Sequence, residues 1–162
     1  MGIMQKLWKR PETNSTSSPG SGVVSHEKTR LQDIQTSAQT IIVPSWHNPH
    51  ERPPQVLLDA LIAAHGRGAH LVGLCLGAFV LAEAGLLDGL RATTHWDAAQ
   101  KLAARYPDVT VEPNVLFVDE GSILTSAGAA AGLDLCLHIV RCDLGVSAAN
   151  EIARGLVTAP YR

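Results

Sequence analysis

The sequence predicts an α/β domain, a mostly parallel sheet with helices on both faces. Short apolar runs of strand length alternate with longer stretches of helical spacing, the order that parallel strands need for their crossovers. Two of the strand-length runs, residues 39–43 and 70–74, are mainly apolar, as in strands covered on both sides. Glycine and proline mark the boundaries between these segments.

Taken in order, residues 1–22 end in ETNSTSSPGSG, turn and linker residues that bury no face, and read as a disordered N-terminal segment. The domain proper is assigned to residues 23–162. Residues 39–43 (QTIIV) are a strand closed by Pro44, and residues 45–54 (SWHNPHERPP) a proline-broken surface connection. Residues 55–65 place Leu57, Leu58, Leu61 and Ile62 at helical spacing, with Gly66 and Gly68 as the stop. Residues 70–74 (HLVGL) form the next strand and residues 78–84 a helix ended by Gly85. Residues 91–94 (RATT) read as a strand and 96–106 as a helix stopped by Pro107. Residues 110–112 and 115–119 flank Pro113-Asn114 as a hairpin, and 123–125 is a further strand. Residues 129–144 form a long apolar helix, expected to be the most buried, and Ser147 caps a last helix over 148–156.

Composition narrows the function classes. A formal charge of −2 lacks the basic footprint of direct nucleic-acid binding or of attraction to an anionic membrane. No apolar run is long enough to span a bilayer, and residues 1–10 lack the apolar core of a signal peptide, so a cytoplasmic location is expected. Three cysteines at unmatched spacing, Cys75, Cys136 and Cys142, suit neither a disulfide framework nor a zinc site. No metal and no cofactor is expected.

The strongest chemical signal is Gly73-Leu74-Cys75-Leu76-Gly77, directly after a strand and before a helix. It has the G-x-nucleophile-x-G form of a nucleophile elbow, with cysteine as the nucleophile. Glycines on both flanks relieve crowding in a sharp turn and leave the reactive atom at the carboxyl edge of the sheet. The Leu76 amide is placed as an oxyanion donor, and a helix N-terminus beside the sulfur favours thiolate. A cysteine between leucines is also a common packing residue; the glycines and the strand–helix context favour the elbow.

Ligands of open α/β sheets bind at the carboxyl ends of the strands. His95 follows the strand at 91–94 and is therefore expected near Cys75, as a general base or a thiolate stabiliser. The alternative is a histidine that lines the next helix without chemistry. Asp97 is assigned to that helix's dipole, Glu83 to a solvated or loop-contacting charge, and Trp96 to a packing anchor beside the elbow. His47 and His50 lack a third ligand for a metal, and Cys136 and Cys142 read as core.

Residues 73–107 (GLCLGAFVLAEAGLLDGLRATTHWDAAQKLAARYP) resemble the central block of the DJ-1/PfpI superfamily, the class I glutamine amidotransferase-like proteins. The likeness is nearest to the N-terminal domains of AraC-type transcriptional regulators and to isocyanide hydratases. TIIVPSW (40–46), LFVDEGSILTSAGAAAGLDLCLHIVR (116–141) and ANEIARGLVTAPYR (149–162) extend it. The resemblance implies a flavodoxin-like three-layer fold, usually dimeric, with Cys75 at the elbow and His95 beside it. Relatives with enzymatic activity add an acid from the first strand region, which has no counterpart here apart from a poor candidate in Glu27. The position after the nucleophile is often Ser or Thr in hydratases and is Leu76 here. Ser45 stands where relatives commonly have a glycine that offers a second backbone donor.

The resemblance also implies that the first strand unit is missing and that the chain stops before a helix-turn-helix DNA-binding domain. The leading expectation is thus a sensor domain of an AraC-type regulator, ligand-binding or vestigial, shortened at both ends. A homodimer and a small-molecule effector are its expected partners. The competing expectations are a cysteine-dependent hydratase or amide hydrolase using Cys75 and His95, and a truncated product without function.

Overall fold

The computed structural model describes residues 6–8 and 38–159. A five-stranded sheet runs in the order β1 (Lys6–Trp8), β2 (Thr40–Val43), β3 (His70–Leu74), β7 (Ile123–Ser126), β6 (Phe117–Asp119). β2, β3 and β7 are mutually parallel, and the edge strands β1 and β6 run antiparallel to their neighbours. The intervening elements are helices α1 (Gln55–Gly66), α2 (Gly77–Glu83) and α3 (Ala99–Arg105), then α4 (Ala129–Leu144) and α5 (Val146–Gly155). A 3₁₀ turn, Trp96–Ala98, leads into α3.

Alternation along the parallel strands creates two cores, as the period-2 pleat requires. Ile41, Val43, Leu71 and Ile123 join Leu57, Leu58 and Leu61 of α1 and Phe79–Ala82 of α2 in the larger one. Val72 and Leu124 point the other way and meet Leu135 of α4, with Ile42, Leu74, Phe117 and Ile139 around them. Helices therefore cover both faces, and the expected three-layer α/β sandwich is what the chain forms. α1 stops as its sequence predicts: Gly68 adopts φ +88°, and Ala69 N–H returns to the Ala64 carbonyl at 3.0 Å.

Several expectations need correction. A three-residue strand, β1, falls within residues 1–22, read from the sequence as disordered, and runs antiparallel to β2 at the sheet edge; the rest of residues 1–22, the boundary at residue 23 and Glu27 lie outside the described residues. The hairpin across Pro113-Asn114 does not form. β5 (Thr110–Val111) instead pairs in parallel with β4 (Arg91–Ala92) as a separate two-stranded sheet, while β6 pairs with the fully buried strand β7. Thr110 and Glu112 spend their amides on the Leu90 and Ala92 carbonyls, so β5 is committed to the far side of the turn. Nor is α4 the most buried helix, since Leu133 and Leu144 are exposed, whereas Gly77–Ala82 of α2 are all buried. Consequently Cys136 is only half-buried and Cys142 is exposed. Trp96 anchors nothing: it is 73% exposed, against the ring of His95. α5 starts at Val146, with Gly145 at φ +89° in the capping position rather than Ser147.

Candidate functional site

β3 delivers the chain to the carboxyl edge of the sheet, where Cys75 turns it into α2. Cys75 adopts φ +53°, the left-handed region that L residues other than glycine avoid. Holding cysteine there costs on the order of 1–3 kcal/mol, and such strain persists only where surrounding contacts fix it. Those contacts fall on the backbone N–H and carbonyl of Cys75. Cys75 N–H donates to the Ser126 carbonyl at the end of β7 at 3.0 Å, and the Thr94 hydroxyl donates to the Cys75 carbonyl at 2.8 Å. Leu76 occupies the N-cap position of α2, and its carbonyl accepts the Phe79 amide at 3.1 Å.

The two glycines have distinct reasons. A Cβ on Gly73 would sit 3.0 Å from the Ala78 nitrogen and from Leu81 Cδ1, across the turn. A Cβ on Gly77 would lie 2.1 Å from the Val43 carbonyl oxygen. Gly77 thus serves the close approach of α2 to the end of β2 rather than the turn itself.

The segment that precedes His95 reaches this edge by a route the sequence reading did not foresee. β4 is not the neighbour of β3 in the main sheet; that place belongs to β7. The segment after β4 is nevertheless drawn to the elbow, because Thr94 bonds Cys75 and the Thr93 amide donates to Thr125 Oγ1 of β7 at 2.9 Å. His95 then caps the 3₁₀ turn, with its Cδ2 3.9 Å from where a Cβ on Gly128 would stand. Ser45 is exposed in the loop that follows β2. Thr94 and Ser126 were missed as elbow residues. The signals were the paired threonines before His95 and the Thr125-Ser126 pair before the small residues that open α4.

The loop over residues 44–54 is tied to the elbow helix at its far end. Glu83, with a side chain 14% exposed, accepts from Arg52 Nε at 2.8 Å, Arg105 Nη2 at 2.7 Å and the Tyr106 hydroxyl at 2.6 Å. Arg105 Nη1 also donates to the Pro49 carbonyl at 2.6 Å, and the buried Trp46 donates to the Glu51 carbonyl at 2.9 Å. Burial alone would raise the Glu83 pKa; the Tyr106 and Arg52 hydrogen bonds and the arginine charges outweigh it and hold the carboxyl below its usual range. Burial, then the hydrogen bond to Glu83, pushes the Tyr106 hydroxyl well above its ordinary value. Glu83 is therefore the loop-contacting charge that the sequence suggests.

Among the described residues no group of three His, Cys, Asp or Glu is placed to hold a metal ion, and no helix is long and apolar enough to cross a membrane. His47 is engaged by Glu51 at 2.8 Å. An apolar cavity of about 140 Å³ lies away from the elbow, at the opposite end of β2, lined by Thr40, Ile42 and residues of the C-terminal half of α4.

Comparison with known proteins agrees with this geometry. The pattern of the DJ-1/PfpI family matches residues 14–142. The HTH-type transcriptional regulator CdhR of Pseudomonas aeruginosa is 39% identical over 95 residues, 59% of this chain and 28% of that protein. The isonitrile hydratase of Pseudomonas putida is 34% identical over 103 residues, 64% of this chain and 44% of that enzyme. The chain thus spans less than half the length of either. Among solved structures, Drosophila melanogaster DJ-1beta superposes with a TM-score of 0.70 at 21% identity, covering 82% of this chain and 71% of that one. An AraC family transcriptional regulator from Pseudomonas putida superposes at 0.69 with 23% identity, covering 80% and 68%. These superpositions establish the shared fold.

Proposed function

As this chain belongs to the DJ-1/PfpI family, we propose that it is the sensor domain of an AraC-type transcriptional regulator, holding a small-molecule effector at the carboxyl edge of the sheet beside Cys75. The observation that carries this reading is an elbow that keeps its strained cysteine while the carboxylate of its own helix is committed elsewhere. Glu83 is bound up by Arg52, Arg105 and Tyr106, and the residue after Cys75 is the apolar Leu76. Likeness to the regulator CdhR supports the same reading. In it Cys75 and His95 are ligand contacts, and the Leu76 amide and Ser45 are polar groups at the rim. Gly73 and Gly77 keep the elbow in shape. A homodimer in the cytoplasm, with no direct nucleic-acid contact from this domain, completes the proposal.

A second reading is favoured by the positive φ of Cys75 and by the likeness to isonitrile hydratase. There Cys75 thiolate adds to an electrophilic carbon, the Leu76 amide steadies the developing negative charge, and His95 manages the proton. One experiment separates the two. The purified chain is incubated with an alkyl isonitrile, and loss of the isonitrile stretch is followed by infrared spectroscopy. The sensor reading expects no loss beyond that seen with Cys75→Ser, and expects a bound effector to slow alkylation of Cys75 by iodoacetamide. Turnover that disappears in Cys75→Ser would overturn it in favour of the hydratase.

A further inference from the structure

The corner at Cys75 is held from two sides, and the two holds differ in kind. Cys75 N–H is taken by a main-chain acceptor, the Ser126 carbonyl, at 3.0 Å. The Cys75 carbonyl is taken by a side chain, the Thr94 hydroxyl, at 2.8 Å. Thr94 is fully buried and lies in the segment that leads from β4 to His95. The Ala78 amide also approaches that carbonyl, but at 3.4 Å, so the threonine makes the shorter contact.

The Cys75 carbonyl and the Leu76 N–H belong to one peptide plane. That peptide is trans, so the two groups point to opposite sides. A hydroxyl that fixes the carbonyl therefore fixes the N–H as well. It also polarises the peptide, which makes the N–H a better donor. Leu76 is half-buried, and among the described residues no group accepts its N–H. In a nucleophile elbow this is the amide that serves an oxygen bound beside the nucleophile.

We propose that Thr94 is a positioning residue of the candidate site: its hydroxyl sets the Cys75–Leu76 peptide so that the Leu76 N–H meets an acceptor oxygen of the ligand. The proposal rests on the reading of Cys75 as the centre of the site, and it serves a bound effector or a hydratase substrate alike. Thr94 acts through the peptide and not on the ligand. Its hydroxyl arrives from a fixed base although β4 stands outside the main sheet, because the neighbouring Thr93 amide is bonded to Thr125 Oγ1 of β7 at 2.9 Å.

The test compares acylation with alkylation of Cys75 in the full chain. With p-nitrophenyl acetate the thiolate adds to a carbonyl: an S–C bond forms and the carbonyl oxygen takes the negative charge. The carbonyl then re-forms as p-nitrophenolate leaves with its bonding pair. With iodoacetamide the thiolate displaces iodide at a saturated carbon, and no oxyanion develops. Mass spectrometry follows both reactions, with the exposed Cys142 as reference; trypsin separates the three cysteines by cutting after Arg67, Arg91 and Arg141.

Thr94→Val, which removes the donor at nearly constant shape, is expected to slow acylation of Cys75 roughly tenfold, less than the loss of a whole oxyanion donor. Alkylation is expected to change by less than about twofold, and Thr94→Ser to restore acylation. Equal slowing of both reactions would overturn the proposal, as would unchanged acylation in Thr94→Val chains with the circular dichroism of the wild type. The wild type alone also tests it: an acylation-to-alkylation ratio at Cys75 no higher than at Cys142 would mean that the Leu76 amide does not serve the site. Turnover of an isonitrile would displace the sensor reading alone and leave the role of Thr94 standing.

Discussion

Gly77→Ala is expected to destabilise the domain by about 4 kcal/mol or more, a large share of the roughly 5–15 kcal/mol that holds a domain folded. The added methyl would stand 2.1 Å from the Val43 carbonyl oxygen, a backbone atom at the end of a buried parallel strand. Overpacking is tolerable where a flexible side chain can move aside. Here either β2 or the start of α2 must shift, and α2 is buried throughout its first six residues. Gly73→Ala meets the Ala78 nitrogen and Leu81 at 3.0 Å and should cost less, about 1–3 kcal/mol, because Leu81 can adjust. Gly66→Ala, with nothing within 4 Å and no positive φ, is the neutral control. Urea titrations followed by circular dichroism rank the three; a Gly77→Ala midpoint equal to that of the wild type would contradict the close packing of elbow helix on strand.

Glu83→Ala is expected to lower stability by about 2 kcal/mol, through two arginines and a tyrosine hydroxyl left without their shared acceptor. The figure is held down by the exposure of Arg52 and Arg105, which water can partly satisfy. The pH dependence has a definite sign. The native pKa values of Glu83 and Asp119 are below the ordinary carboxylate range. Their contribution is therefore present above the unfolded values, about 4, and lost as pH falls through the lowered native ones. The raised Tyr106 acts at the other end: its contribution is complete below the unfolded value, about 10, and fades as pH rises toward the native one. Thermal melts from pH 3 to 7 should show a shallower acid decline in Glu83→Gln than in the wild type, and parallel curves would contradict the assignment.

The parallel core and the elbow were legible because each rests on local pattern. The residues of β3, the corner at Cys75 and the bounds of α4 follow from apolar runs and glycine placement alone. What was not legible depends on pairing partners. A turn at Pro113-Asn114 was visible, but not that β5 would join β4 while β6 turned back to β7, since those choices are made by segments distant in sequence. The misplaced burial of Trp96 and Cys142 has the same origin: aromatic and sulfur side chains are commonly buried, and only tertiary placement leaves these outside. His95 was sought at the tip of an adjoining strand; the structure instead ties its segment to the elbow through Thr93 and Thr94, hydroxyl residues whose role no periodicity reveals.

Both the sensor and the hydratase readings depend on Cys75 being held in a left-handed corner. The direct measurement is the stability of Cys75→Gly against Cys75→Ala in the same urea titration. Both remove the sulfur, but only glycine adopts φ +53° without strain. The account predicts that the glycine variant is the more stable of the two by about 1 kcal/mol. An alanine variant as stable as the glycine one, or more so, would mean that residue 75 sits in ordinary backbone and that the elbow does not exist.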